Sequence, residues 1–380
     1  MTKIPFFGAT REFQKHGGPI LKEVGRIFKS GRMLQGPEVA SFEEKLARFT
    51  NRRLAVALNS ATDALYFALA ASGIGPGDEV LVTDFSFIAS GSAICRAGAT
   101  PIFIDIDDTY NIDLKQAQAK ITPQTKALVA VHLYGSMMNP RVVNDFSRRH
   151  NLVLIEDAAQ AIGAAYDSVR AGSLGLASVF SFDPTKPISA PGSGGVLLTD
   201  DETLAAKVKR LRYHGKETGQ NSYREIGINS QMPSATAAVL NFKMTREAAW
   251  RRRRQDIAAR YIRGLAQVPG LVLPGACVKN SHIYHKFVIR IPNRDALKEQ
   301  LSKAGIETMI HYSTPLHRQP CFAHLGLADR DYPVTNRFAQ SVLSLPIHPF
   351  LKDSEVNLVI SSIVKLSQTK TRTRAGACVL

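Results

Sequence analysis

Short apolar runs alternate with amphipathic segments through the first two-thirds of the chain. The runs are rich in β-branched and aromatic residues and are bounded by turn residues, which is typical of buried strands. The segments between them carry apolar residues at helical spacing. This alternation predicts an α/β fold with a mostly parallel, wound sheet sandwiched by helices. The segments that carry the pattern are 53–74, 75–107, 125–139, 142–151 and 152–200.

The pattern changes near residue 250, where a long basic helix is followed by shorter strand-like and helix-like runs. This change predicts a second, smaller domain of α+β type. We therefore expect a large domain over 1–247, which includes an N-terminal arm, and a small domain over 248–368. The remaining residues, 369–380, have the composition of a disordered basic tail.

The stretch 152–200 contains two strand-like runs that carry candidate chemistry. The first ends in Glu156 and Asp157, and Lys186 follows the second. Open α/β sheets bind ligands at the carboxyl ends of their strands, so an acid and a lysine at neighbouring strand ends can face one pocket. That pair suits pyridoxal phosphate (PLP), whose pyridine nitrogen takes an acid and whose aldehyde takes a lysine. A single lysine after a strand is more often a solvated loop residue.

Four separated motifs give the chain a specific resemblance. They are NSATDAL at 59–65, EDAAQ at 156–160, SFDPTK at 181–186 and GSGG at 192–195. In this order they resemble the sugar aminotransferases of the DegT/DnrJ/EryC1/StrS family, and the resemblance runs from about Ile4 to Leu366. It implies a fold type I PLP-dependent transferase that works as a homodimer with shared active sites.

The resemblance implies which residues contact the ring and the aldehyde of the cofactor. Lys186 would form the Schiff base and then move the proton, and Asp157 would hold the pyridine nitrogen protonated. Gln160 would reach the ring hydroxyl. Phe87 would stack on the ring, with Phe85 as the runner-up. Glu156 is expected only to orient its loop.

The cofactor phosphate is expected at the turn Ser60-Ala61-Thr62, which opens a helix. Helix N-termini attract anions, although such a turn can also be a plain N-cap. Ser181 would add a hydrogen bond, and Asn229 would reach the phosphate of the neighbouring subunit's cofactor. The family usually has Gly at position 61.

The substrate is expected near His311, Tyr312, His317 and Gln231 by the same resemblance. The chain departs from the family at three places. Gln231 stands where Arg is common, and an amide cannot make the charged contact of Arg. Pro187 replaces an Asn, and Ser193 replaces an acid, which puts the local substrate contacts in doubt. The histidines lack acidic partners at ligand spacing, so we expect no metal.

Charge and composition limit the classes of partner. The 380 residues contain 48 Lys and Arg against 32 Asp and Glu, a net charge of +16. This excess suits either nucleic acid or an anionic small substrate. The arginines at 251–254 fit the solvent-facing side of an amphipathic helix, and no nucleic-acid-binding motif accompanies them. We therefore favour the anionic substrate and expect no nucleic acid.

The cysteines and the hydropathy indicate a cytoplasmic protein without a membrane segment. The four Cys have no metal or redox spacing, and the chain has neither an apolar run of spanning length nor a signal-peptide pattern.

We interpret the sequence as a PLP-dependent aminotransferase that moves an amino group, in the first place from L-glutamate, to a nucleotide-linked keto-sugar. One alternative is a relative that aminates a cyclic ketone without a nucleotide, such as an inosose, or that forms an aminobenzoate. Related sugar dehydratases carry His in place of the lysine, so Lys186 argues against that branch. From another class, a DNA-binding or PLP-sensing regulator remains open.

Overall fold

A computed structural model describes residues 3–217, 219–275 and 277–376. Its α-helices are α1 (Ala9–Ser30), α2 (Pro37–Thr50), α3 (Ala61–Ala71), α4 (Ala89–Arg96), α5 (Leu114–Ala119), α6 (Pro140–Arg149), α7 (Glu202–Leu211), α8 (Ser234–Met244), α9 (Glu247–Leu265), α10 (Arg294–Lys303), α11 (Pro333–Ser341) and α12 (Asp353–Gly376). Its strands are β1 (Leu54–Leu58), β2 (Glu79–Thr83), β3 (Thr100–Ile104), β4 (Thr125–Val131), β5 (Val153–Asp157), β6 (Ala165–Tyr166), β7 (Val169–Arg170), β8 (Ala177–Ser181), β9 (Gly195–Thr199), β10 (Phe287–Arg290) and β11 (Val342–Leu345).

A seven-stranded sheet with the order β1-β9-β8-β5-β4-β2-β3 organises the first part of the chain. The central strands from β8 to β3 pair in parallel, and β9 runs antiparallel to both of its neighbours. This architecture confirms the predicted α/β class and the mostly parallel sheet. The carboxyl ends of the parallel strands therefore lie along one edge, where the candidate chemistry was expected.

Helices cover both faces of this sheet, because successive side chains of each strand point to opposite sides. In β1, Ala55 and Ala57 belong to the core on the side of α2, α6 and α8, whereas Val56 and Leu58 belong to the core on the side of α3, α4 and α7. Burial on both faces explains why the strands read as continuous apolar runs rather than alternating ones.

A second core lies between α9, α10, α12 and the antiparallel strand pair β10–β11. The predicted division at 247/248 coincides with the start of α9 at Glu247. However, Ile4 at the start of the N-terminal arm is buried in this second core and pairs with Ile306. The start of the arm, which we assigned to the large domain, therefore packs with the small one.

Two expectations about basic segments need correction. The backbone is helical from Asp353 to Gly376, where we predicted disorder from residue 369; the intervening sequence has no helix-breaking residue before Gly376. Residues 377–380 of the predicted tail lie outside the described part. In α9, Arg254 is buried instead of solvated, and its guanidinium donates to the carbonyl of Ile347. Within the described ranges, no helix has the length and apolarity needed to cross a membrane.

Candidate active site

A cavity of about 530 Å³ opens at the carboxyl edge of the sheet. Asp157 ends β5, and Lys186 lies five residues beyond the end of the neighbouring parallel strand β8. Both side chains line the cavity. The pairing of acid and lysine that the sequence predicted is thus present in the structure.

Burial shifts the protonation of both groups. It lowers the pKa of Lys186, and the negative charges of Asp157 and Asp183 only partly oppose this shift. Burial also raises the pKa of Asp157, opposed by hydrogen bonds from the backbone N–H of Ala159 (3.1 Å) and the hydroxyl of Ser90 (2.9 Å). A lysine with a depressed pKa is a nucleophilic amine, which is what imine chemistry requires.

The turn Ser60-Ala61-Thr62 lines the same cavity at the start of α3. The Ser60 hydroxyl caps the helix by accepting the N–H of Asp63 at 3.1 Å, and Ala61 and Thr62 form the first helical turn, whose N–H groups have no intrahelical acceptor. Ala61 is tolerated because the first helical residue has ordinary helical geometry. The turn is therefore both an N-cap and a candidate anion site.

Gly195, the last residue of the GSGG motif, lets β9 pass directly against this turn. A Cβ at position 195 would lie 2.2 Å from the carbonyl carbon of Ser60 and 2.4 Å from the nitrogen of Ala61. Glycine is therefore required here for close approach of two backbone segments. The GSGG motif therefore allows β9 to pack directly against the 60–62 turn that forms the candidate anion site.

The ring-binding side of the cavity contains Phe87, Gln160 and Tyr312. Phe87 is half exposed, whereas the runner-up Phe85 is fully buried in a core cluster between the two domains. The Gln160 carbonyl oxygen accepts the N–H of Tyr134 at 2.9 Å, and its amide nitrogen lies 3.5 Å from the Tyr312 hydroxyl. Ser181 and His311 complete the predicted set on this cavity.

Three predicted site residues do not line the cavity. Asn229 is exposed and accepts a hydrogen bond from the Gln231 amide at 3.2 Å, and Gln231 also accepts from Gln35. His317 is buried, with Nδ1 2.6 Å from Asp84 and Nε2 2.8 Å from Asp329. Because both of its ring nitrogens are engaged, the structure does not place His317 for contact with a substrate in this cavity.

Glu156 points away from the cavity and is fully buried. It accepts from His132 Nε2 (2.8 Å), Ser178 Oγ (2.6 Å) and the backbone N–H groups of Gly172 (3.0 Å) and Leu174 (2.8 Å). Burial raises the pKa of Glu156, but these hydrogen bonds outweigh it and leave the pKa lowered. Glu156 thus holds the 172–174 loop beneath β5, which is a structural role away from the cavity.

The cavity residues that sequence reasoning missed include Phe7, Ser90, His285 and Lys286. One signal was available, because Lys286 interrupts the apolar run 283–289 and a lysine is almost never buried without a partner. Its burial in the structure lowers the pKa of Lys286 to about 7, with the charges of Lys186 and Arg254 acting in the same direction. The other three have no distinguishing pattern in the sequence.

Comparison with known proteins decides the family. The profile described as the DegT/DnrJ/EryC1/StrS aminotransferase family matches residues 15–364. The chain belongs to this family. The resemblance inferred from the four motifs and the predicted sugar-aminotransferase class are thereby confirmed.

Individual members of the family align over nearly the whole chain. A protein of Geobacillus stearothermophilus named "Pleiotropic regulatory protein" is 38% identical over 95% of this chain and 98% of its own length. A "dTDP-3-amino-3,4,6-trideoxy-alpha-D-glucose transaminase" of Streptomyces venezuelae is 36% identical over 95% of each chain. The crystal structure of DesV from S. venezuelae, described as a complex with a ketimine intermediate, is 36% identical with a TM-score of 0.94, over 97% of this chain and 99% of that one.

The cavity meets the chemical requirements of PLP. It offers a helix N-terminus for a phosphate, a buried carboxylate for a pyridinium and a lysine for an aldehyde, and an aromatic ring stands at the opening. In the described ranges, no group of three or more His, Cys, Asp or Glu lies together as a metal site would require.

Proposed function

We propose that this protein is a PLP-dependent aminotransferase that transfers an amino group from an amino acid, in the first place L-glutamate, to a nucleotide-linked keto-sugar. The observation that carries the proposal is the convergence of Lys186, Asp157 and the 60–62 turn on one cavity. Membership in the aminotransferase family supports the reaction class.

The residues of this chain would divide the work as follows. PLP, when bound, supplies an electron sink for the carbon that carries the amino group. Asp157, ionised against the pyridinium and held by Ser90, would keep that ring nitrogen protonated. Lys186 would bind the cofactor's aldehyde carbon, leave it when the donor arrives, and then carry the proton between the two exchanging carbons. Its lowered pKa leaves a neutral amine available as the base.

Two features support an anionic sugar acceptor. The names of several relatives specify dTDP- or UDP-linked sugars, and the net charge of +16 would attract a nucleotide diphosphate. Gln231 supplies no cation for such a group, and it lies outside the cavity of its own chain. A free cyclic ketone therefore remains the second acceptor class to be tested.

The basic stretch of α9 offers little to nucleic acid. Arg251 pairs with Glu247 at 2.8 Å, Arg253 pairs with Asp353 at 2.7 Å, and Arg254 is buried. Charges already paired or buried release few counterions on binding a polyanion. We therefore retain the enzyme over the DNA-binding regulator, despite the name of the Geobacillus relative.

A homodimer with shared sites forms part of the proposal. Asn229 lies outside the cavity of its own chain, on a segment with exposed apolar side chains. Among these, Ile226 is 96% and Tyr223 is 62% exposed. Isolated exposed apolar residues are ordinary, but a group beside residues that the family resemblance assigns to a neighbour's site favours an interface.

The test is the visible absorption spectrum of the purified protein with PLP, for the wild type, Lys186→Ala and the control Lys279→Ala. Lys279 is an exposed lysine away from the cavity. We expect the wild type and the control to develop a visible band that L-glutamate removes with release of 2-oxoglutarate. Lys186→Ala should lack this lysine-dependent band and should release no 2-oxoglutarate.

The acceptor is then identified with protein that has already taken up the amino group from L-glutamate, the amine-loaded protein. Keto-sugars with and without a nucleotide are added to it. Return of the visible band with nucleotide-linked keto-sugars alone supports the proposal, and return with free cyclic ketones alone establishes the second acceptor class. A wild type that binds no PLP would exclude the aminotransferase function.

A further inference from the structure

Lys286 has a buried ammonium group that lines the same cavity as Lys186 and has no acidic partner among the described residues. It is 5% exposed and lines the cavity together with Lys186, immediately before β10 of the small domain. Among the residues that the structure describes, its ammonium forms no hydrogen bond and no ion pair. Buried charges are normally paired, so an unpaired ammonium that faces a cavity indicates an anionic ligand.

The surroundings of Lys286 hold its ammonium in position. The backbone N–H of Lys286 donates to the carbonyl of Tyr134 in the large domain at 3.3 Å. Its ammonium lies 4.6 Å from the ring centre of Phe7 and 5.0 Å from that of Phe6. Cation–π contacts of this kind stabilise an ammonium while leaving its N–H groups free for a ligand.

The position of Lys286 indicates which of two anionic groups it binds, the α-carboxylate of the amino-acid donor or the diphosphate of the nucleotide sugar. The α-carboxylate of an amino acid is attached to the same carbon as the amino group, so it must lie next to Lys186 whenever that group reacts. The diphosphate of a nucleotide sugar is separated from a reacting ring carbon by part of the sugar and belongs farther out. Lys286 and Lys186 line the same cavity, together with Phe7 and His285, so an anion bound at Lys286 lies near the reacting end.

We propose that Lys286 binds the α-carboxylate of the amino-acid donor, and equally that of the 2-oxo acid formed from it. This assignment deepens the proposed function and rests on it for the identity of the donor. The ligand supplies the direct ion-pair partner that Lys286 lacks in the protein, and the charged hydrogen bond holds the α-carbon beside Lys186.

The test is calorimetric titration of the cofactor-loaded protein with glutarate, a dicarboxylate that has the donor's chain length and no amino group. Charged hydrogen bonds contribute enough that Lys286→Met should weaken glutarate binding about 10- to 100-fold. Lys286→Arg, which keeps the charge, should lose less than the Met variant, and the exposed-site control Lys279→Met should bind like the wild type. Retention of the visible cofactor band verifies that each variant is folded around PLP.

Kinetics of the glutamate half-reaction provide the second measurement. We expect Lys286→Met to raise the KM for glutamate by a similar factor, while the reaction of the amine-loaded enzyme with the acceptor sugar keeps its KM. A change confined to the sugar half-reaction would overturn the assignment in favour of the diphosphate. A variant that binds glutarate as tightly as the wild type would also overturn it.

A third measurement needs no variant. Burial lowers the pKa of Lys286, to about 7 before a cofactor is bound, so glutarate binding should weaken as rising pH removes the proton from this ammonium. The charged groups that act on Lys286 are Lys186, Arg254 and Asp183, and His285 and His311 lie within its field. Affinity that is flat between pH 6 and about pH 9 would contradict the role of Lys286.

The two proposals can fail separately. A protein that binds glutarate through Lys286 but exchanges no amino group retains this inference and loses the proposed function. A protein that transaminates glutamate with an unchanged KM in Lys286→Met retains the function and loses this inference.

Discussion

The buried carboxylate Glu156 makes a quantitative prediction for the variant Glu156→Gln. Four donors face its two oxygens, two at each: His132 Nε2 and the Gly172 N–H at one, and Ser178 Oγ and the Leu174 N–H at the other. A glutamine amide has one oxygen and one NH₂ group, so in either orientation at least one N–H donor meets another donor, whereas the Ser178 hydroxyl can turn to accept. Hydrogen bonds to a charged group contribute about 1.5–3 kcal/mol each. Relief of the carboxylate's desolvation offsets part of that loss, so we expect the free energy of unfolding to fall by about 3 kcal/mol.

Denaturant unfolding of the cofactor-free protein measures this loss from the midpoint at an unchanged slope. The matched control is Glu299→Gln, which removes an exposed carboxylate from an i,i+4 pair with Lys303 on α10 and should leave the midpoint unchanged. Glu156 does not line the cavity, so the Glu156→Gln change can weaken PLP binding only indirectly, by letting the 172–174 loop displace β5 and Asp157. A loss below about 1 kcal/mol would refute the argument, because the four hydrogen bonds would then contribute no more than one neutral bond.

Two further predictions concern the histidine bridge and the dimer. Burial lowers the pKa of His317, but Asp84 and Asp329 outweigh it and leave the pKa raised. The stabilisation by His317 should therefore be complete below the unfolded-state pKa of about 6.5 and disappear as pH rises through the folded-state pKa. The difference in unfolding free energy between wild type and His317→Gln should accordingly be larger at about pH 6 than at about pH 8.5, and a difference independent of pH would show that His317 is not charged in the bridge. For the dimer, light scattering should give two chains per particle for the wild type and a shift towards one for Ile226→Asp, whereas Leu358→Asp, at an exposed position on α12, should behave like the wild type; equal masses for all three would remove the 223–229 segment from the interface.

Sequence reasoning succeeded where local pattern and chain direction were sufficient. Asp157 and Lys186 follow the ends of adjacent parallel strands, and topology alone brings such ends together. The turn at Ser60 carries its own signature, a hydroxyl residue before an apolar helix. Pattern and topology therefore predict where these residues lie, whereas the roles assigned to them rest on the family resemblance.

The failures share a different cause, since they depend on which distant segment covers a residue. Arg254 has the sequence neighbours of a solvated arginine, but the 347–350 segment lies over it. His317 was assigned to substrate from a family motif, and only the folded chain shows Asp84 and Asp329 on either side of it. Lys286 interrupts an apolar run, but the burial that lowers its pKa and the nearby charges of Lys186 and Arg254 come from segments that are distant in the sequence.

The arm at the start of the chain has a consequence for protein synthesis. The backbone N–H of Phe6 bonds to Glu307, a partner 301 residues later, and the neighbouring Phe7 lines the catalytic cavity. At translation rates of about 5–20 residues per second, the arm must wait roughly 15–60 s on the ribosome before its partner exists. During that interval Phe6 and Phe7 are exposed to chaperones and proteases, and the nascent chain already holds Lys186 and Asp157 without the wall that closes the site. Closure of the site by the arm thus requires that the chain has been synthesised as far as Glu307.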